Sequence, residues 1–91
     1  MRFEWNAKKA AANLAKHRVS FHEASTVFGD PLAVTINDPD SSTDENRLLT
    51  KGMSTGWKLL VVAHTYEGGV IRIISARRAT RNERRQYESE N

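Results

Sequence analysis

The chain has 91 residues, no cysteine, a formal net charge of +3 and a pI near 9.6. That length fits one domain with a small core, and the lack of cysteine excludes a disulfide framework or a thiolate metal site. No apolar run reaches membrane-spanning length, and the opening "MRFEWNAKKAAA" lacks the apolar core of a secretory signal, so the expectation is a cytoplasmic protein with no membrane association.

In chain order, "FEW" (Phe3 to Trp5) reads as a short edge strand. Asn6 is placed to cap a helix, in which Ala7, Ala10, Ala11 and Leu14 recur at helical spacing and mark the predicted buried face. That helix should end near His17 or Arg18. "VSFHEASTVF" opens a second helix, with Ser20 and Glu23 as a capping box, Val19 stapling against Ala24, and Ala24, Val27 and Phe28 as its buried face. "GDP" (Gly29 to Pro31) stops it. Leu32, Val34 and Ile36 then alternate with Ala33, Thr35 and Asn37 as a strand. An acidic loop, "NDPDSSTDE" (Asn37 to Glu45), leads to a second strand in "NRLLTKGMS", and Gly56 marks a turn. "KLLVVAHTY" is apolar on both faces and therefore central. "EGG" (Glu67 to Gly69) signals a hairpin into "VIRIISA". Thr80 and Glu83 form a second capping box before a short helix, "RNERRQYESE". The order β-α-α-β-β-β-β-α predicts an α+β fold over residues 1–91. Two N-terminal helices would pack on a mainly antiparallel sheet of four to five strands, with a short C-terminal helix.

The charge is unevenly spread. The Asn37–Glu45 loop carries four acids and no base, whereas Arg72 to Arg85 carries six arginines and one acid, Glu83. A basic patch where a strand meets a helix attracts polyanions, of which RNA and DNA are the commonest.

The stretches "FEW" with "KAAANLAKH", "VSFHEASTVFGDPLAVTI" and "IRIISARRATRNERRQYE" resemble the BrnT family of bacterial type II toxins, over nearly the whole chain. In the last stretch Ser75, Arg77, Arg78, Glu83, Arg84 and Tyr87 fall in place together. The resemblance implies a RelE-like fold and a ribonuclease that blocks translation. It also implies a BrnA-like ribbon-helix-helix antitoxin, with two toxins flanking an antitoxin dimer in a heterotetramer that meets operator DNA only through the antitoxin. The sequence departs from the family pattern at Asn6, where Asp is usual, at Arg18, where Gly is common, and at His22, where an acid is common. If residue 18 is left-handed, Arg costs about 1 kcal/mol there.

RNA carries its own nucleophile, so metal-free cleavage needs proton transfer at the 2′-hydroxyl and the 5′-oxygen and stabilisation of the phosphorane. Histidine suits the first and arginine the second. The chain shows no metal-ligand spacing, and no cofactor is expected. The catalytic candidates are His64, Arg77, Arg78, Tyr87 and His17; the RNA-binding candidates are Arg47, Lys51, Arg72, Arg81 and Lys16. Each has a plainer alternative. Arg77 and Arg78 leave the last strand either one to each face or redirected by a bulge, and they pair either with phosphate or with Glu83 or the acidic loop. His64, in phase with Leu60 and Val62, either sits over a concave sheet or is a hydrogen-bonded core group. His17 either takes part in proton transfer or serves only the last carbonyls of its helix, and His22 reads as exposed surface. Arg72 opens a charged site or snorkels at an edge, Lys16 contacts phosphate or is solvated, and Tyr87 covers the site or packs the last helix onto the sheet. Arg47 and Lys51 alternate along one strand and would line an RNA groove. Arg81, Arg84 and Arg85 would grip flanking backbone or meet an antitoxin. Trp5 and Trp57 read as core or rim packing, with base stacking beside Lys58 as the alternative for Trp57. A non-catalytic nucleic-acid-binding module and a subunit that binds only its antitoxin remain the competing functions.

Overall fold

The computed structural model describes residues 1–39 and 46–89; Asp40 to Glu45 of the acidic loop lie outside the described residues. The elements are β1 (Arg2–Glu4), α1 (Ala7–His17), α2 (Phe21–Thr26), a 3-10 turn (Val27–Gly29), β2 (Val34–Asn37), β3 (Leu48–Met53), β4 (Leu59–Glu67), β5 (Val70–Arg78) and α3 (Arg81–Ser89). The strands form one sheet in the order β1-β5-β4-β3-β2, with β1 parallel to β5 and the rest an antiparallel meander. β4, apolar on both faces, is the middle strand as its composition requires. The β4–β5 hairpin turns through Gly68 and Gly69, at φ +59° and +80°, angles that glycine adopts without a Cβ clash.

One face of the sheet is the core. Leu60 and Val62 of β4 and Ile71, Ile73 and Ala76 of β5 pack with Val19, Phe21, Ala24 and Val27. The approach is close enough that a Cβ on Gly52 of β3 would stand 2.8 Å from Val27 Cγ1 and 2.9 Å from Ala33 Cβ.

Local chemistry sets the helix ends. The Asn6 side chain accepts from the Lys9 N–H at 3.0 Å. Arg18 ends α1 in the left-handed conformation, φ 59° and ψ 29°, and its N–H bonds Leu14 O. Ser20 Oγ accepts from the Glu23 N–H, but the Glu23 carboxylate does not return to Ser20. It takes the Ser54 hydroxyl at 2.7 Å and lies 3.4 Å from Lys58 Nζ, so the predicted reciprocal box is only half formed.

The buried face of α1 differs from the alanine stripe. Ala7, Ala11 and Leu14 are exposed, Ala10 is half-buried, and the buried residue is Asn13. β1 pairs β5 only as far as Arg72, which leaves the β5 edge open beyond it. Asn13 fills that gap. Its Nδ2 donates to Ala76 O at 2.8 Å and Val19 O at 2.9 Å, and its Oδ1 accepts from the Ala76 N–H at 3.0 Å. A side-chain amide thus replaces a neighbouring strand, because buried backbone groups need partners.

Candidate functional site

The second face of the sheet carries the candidate site. Val61 is opposite Arg77 and Lys51, Lys51 is opposite Val34, and Leu49 is opposite Ile36. Cross-strand partners share a face, so these six side chains lie together on the face away from the core. α3 adds Glu83 and Gln86, and the result is a cleft of about 360 Å³ with an apolar floor and a polar wall. Ile36 is 54% exposed on that floor.

A bulge decides which arginines arrive there. Ala63 pairs Ser75 but His64 pairs Ile73, leaving Ile74 unmatched. The extra residue restores Arg72, Ser75 and Arg77 to one face although Arg72 and Arg77 are five apart. Arg78, opposite Leu60, takes the other direction and is exposed.

Both cations in the cleft are held by α3. Arg77 donates through its two terminal nitrogens to Glu83, at 2.7 and 2.9 Å. These bonds from Arg77, against partial burial and with help from Thr80, hold the Glu83 carboxyl down at about 2. Glu83 also accepts from the Thr80 N–H at 2.8 Å while Thr80 Oγ1 accepts from the Glu83 N–H. The capping box is therefore complete, and its acid occupies the helix N-terminus that would otherwise attract phosphate. Lys51 Nζ donates to Gln86 Oε1 at 3.0 Å. One turn on, the buried Tyr87 hydroxyl donates to Asp30 Oδ2 at 2.6 Å. Burial, then the Asp30 hydrogen bond and charge, push Tyr87 up to about 12. Burial pulls Asp30 up too, but donation from the Met53 N–H, Tyr87 and the Leu32 N–H outweighs it and its pKa falls.

Residues 5–83 match the family described as the ribonuclease toxin BrnT of type II toxin–antitoxin systems. The chain belongs to the BrnT family. Its fold is also similar to the 1.1 Å crystal structure of the Brucella abortus ribonuclease toxin BrnT, with a TM-score of 0.68 and 24% identity over 89% of this chain and 99% of that one. No curated protein matches it in sequence.

In this BrnT-family chain the other candidates are scattered. His64 lies on the core face, 3% exposed. Its Nε2 is 2.7 Å from Thr50 Oγ1, and its ring meets Phe28 edge-on at 4.8 Å. Burial lowers its pKa, against a backbone hydrogen bond at Thr65. It is thus separated by the sheet from Arg77 and Lys51. His17 and Lys16 line a shallow hollow between α1 and the β5 edge, apart from the cleft. Arg72 shares the face of Arg77 but pairs with Glu4 at 3.0 Å. Arg47 Nε lies 3.0 Å from Asp38 Oδ2 at the far end of β3. Arg81, Arg84 and Arg85 are exposed on α3. Trp5 packs against Phe21 and His22, whereas Trp57 is 84% exposed and packs in neither core nor rim. Sequence reasoning passed over Gln86 and Asp30. The spacing of Glu83, Gln86 and Tyr87 at i, i+3 and i+4 was the available sign that one face of α3 meets the sheet.

Proposed function

We propose that this BrnT-family ribonuclease cuts RNA without a metal, in the cleft between the second sheet face and α3. The observation that carries the reading is the pair of cations, Lys51 on β3 and Arg77 on β5, the two strands that flank β4, with Val61 of β4 between them in register. The 2′-oxygen attacks phosphorus, the O2′–P bond forms and the P–O5′ bond breaks. The proton leaves the 2′-hydroxyl and another reaches the 5′-oxygen, giving a 2′,3′-cyclic phosphate and a 5′-hydroxyl. Negative charge gathers on the non-bridging oxygens, where a guanidinium and an ammonium stabilise it more than they stabilise the ground state. A phosphate that takes Arg77 competes with Glu83 for it. Cutting of messenger RNA then blocks translation.

The partner inferred is a BrnA-like ribbon-helix-helix antitoxin, in a heterotetramer of two toxins around an antitoxin dimer, reaching operator DNA only through the antitoxin. Membership of a type II pair supports a partner, and the apolar floor at Val34, Ile36 and Leu49 supplies surface for one to cover. The Arg77–Glu83 pairing favours a second reading, in which the cleft binds antitoxin or nucleic acid but performs no cleavage.

Incubating the purified chain with end-labelled RNA in excess chelator separates the two. Cyclic phosphate ends, lost when Lys51→Ala and Arg77→Ala are combined in a folded protein, are the expected result. Intact RNA, both free and on translating ribosomes, overturns the nuclease reading.

A further inference from the structure

Trp57 presents its indole to solvent, 84% exposed, from a turn that holds it firmly. Ser54 N–H bonds Lys58 O at 2.9 Å and Trp57 N–H bonds Ser54 O at 3.0 Å. The turn is tied to α2 by Ser54 Oγ to Glu23 Oε2 at 2.7 Å and by the Thr55 N–H to Thr26 Oγ1 at 3.0 Å. Within it Trp57 has φ 63°, the left-handed position that hairpin turns of this length give to glycine. The glycine in "STGWK" stands one place earlier. A bulky apolar side chain thus occupies a strained backbone site and gains little burial for it.

Beside the indole lies a hollow of about 380 Å³, bounded by Met53, Ser54, Thr55 and the Thr26–Asp30 turn. Among the described residues its one charged lining residue is Asp30, an acid, so it suits an uncharged ring and repels phosphate. The cations are next door. Met53 lines the hollow, Lys51 lines the cleft, and the two are alternate residues of β3, about 7 Å apart. That is the order of one step along an extended nucleic-acid strand. α3 spans both places, Gln86 reaching Lys51 and Tyr87 reaching Asp30.

We propose that Trp57 is a stacking platform for one base of the single-stranded RNA whose phosphates lie on Lys51 and Arg77. This rests on the reading of the cleft as the RNA site. Every base has a π-face, so the platform grips the strand without selecting its sequence.

The test uses a short single-stranded 2′-O-methyl oligoribonucleotide, which lacks the attacking hydroxyl and is bound but not cut. In a Trp5→Phe background, where Trp57 is the sole tryptophan, its fluorescence is quenched on binding. Trp57→Gly suits the positive φ and folds at least as well as the parent, yet its Kd rises roughly five- to 150-fold. Its salt dependence keeps the parent's slope, because no phosphate contact is lost. Trp57→Phe recovers most of the affinity. Equal affinity in Trp57→Gly overturns the proposal and leaves the RNA cleft standing. Unchanged RNA affinity with weakened antitoxin binding makes Trp57 a protein contact instead. A parent protein that does not bind the oligonucleotide overturns the platform and the RNA reading together.

Discussion

The Arg77 guanidinium and the Glu83 carboxylate form a two-bond pair, at 2.7 and 2.9 Å, across the junction of β5 and α3. The same carboxylate accepts the Thr80 N–H. One acid therefore fixes where α3 begins and what the arginine in the cleft points at. In the proposed RNA site, phosphate must share Arg77 with Glu83 or displace it, so the proposal gives Glu83 a control on RNA affinity as well as its place as a cap.

That pair sets an acid limb of stability. The Glu83 pKa falls from 4.5 to about 2 on folding, so its contribution is complete above pH 4.5 and is lost as pH drops towards 2. The Arg77 side chain is 40% exposed, and solvent screening limits the contribution to about 1 kcal/mol. Urea denaturation of Glu83→Gln should show lower stability at pH 6 and a flatter fall below pH 4.5. A limb unchanged by the substitution would show that other carboxylates govern acid unfolding.

Tyr87 pins the last helix. Tyr87→Phe removes the bond to Asp30 while keeping the ring, at a cost of about 1–2 kcal/mol. Amides of α3 should exchange about tenfold faster, with β4 unaffected. Uniform acceleration across both elements would mean that α3 is not a separately anchored unit.

Asn13 gives the largest expected stability loss. Asn13→Leu strips partners from Val19 O and from both backbone groups of Ala76, costing about 3 kcal/mol. A shift of the denaturation midpoint worth less than about 1 kcal/mol would mean that water replaces the amide at that edge.

His64 is expected to serve stability rather than cleavage. It faces the core, so His64→Gln should keep RNA cleavage within about threefold of the parent while losing about 1–2 kcal/mol of stability. Burial lowers its pKa below 6.5. Folding therefore prefers the neutral ring, and that preference is complete above pH 6.5 and erodes as pH falls through the folded value. An imidazole NMR titration reads this directly. A cleavage loss of a hundredfold in a folded His64→Gln would return the residue to the chemistry.

Arg18 holds a left-handed angle, φ 59°, at the end of α1. Arg18→Gly should stabilise the protein by about 1 kcal/mol, a rise in Tm of about 5 °C. No rise would mean that the arginine side chain offsets its own backbone strain.

Much of this was written in local sequence. Helix caps at Asn6, Ser20 and Thr80, the Gly68–Gly69 hairpin, the central position of β4 and the left-handed Arg18 all depend on residues within a turn or two of each other. The closing motif likewise carried the family. Local chemistry determines these features because capping bonds, allowed φ and apolar periodicity act over a few residues. The tertiary structure decided the rest. The alanine stripe of α1 read as core, yet the open edge of β5 drew in Asn13. His64 kept the phase of Leu60 and Val62, and that same phase turned it towards Phe28 and away from the cleft. The bulge at Ile74 put Arg72 and Arg77 on one face, and α3 folded back to place Glu83 on Arg77 and Tyr87 on Asp30. These outcomes depend on strand register and on which face each neighbour covers. Such relations join residues far apart in the chain, and only the assembled sheet brings them together.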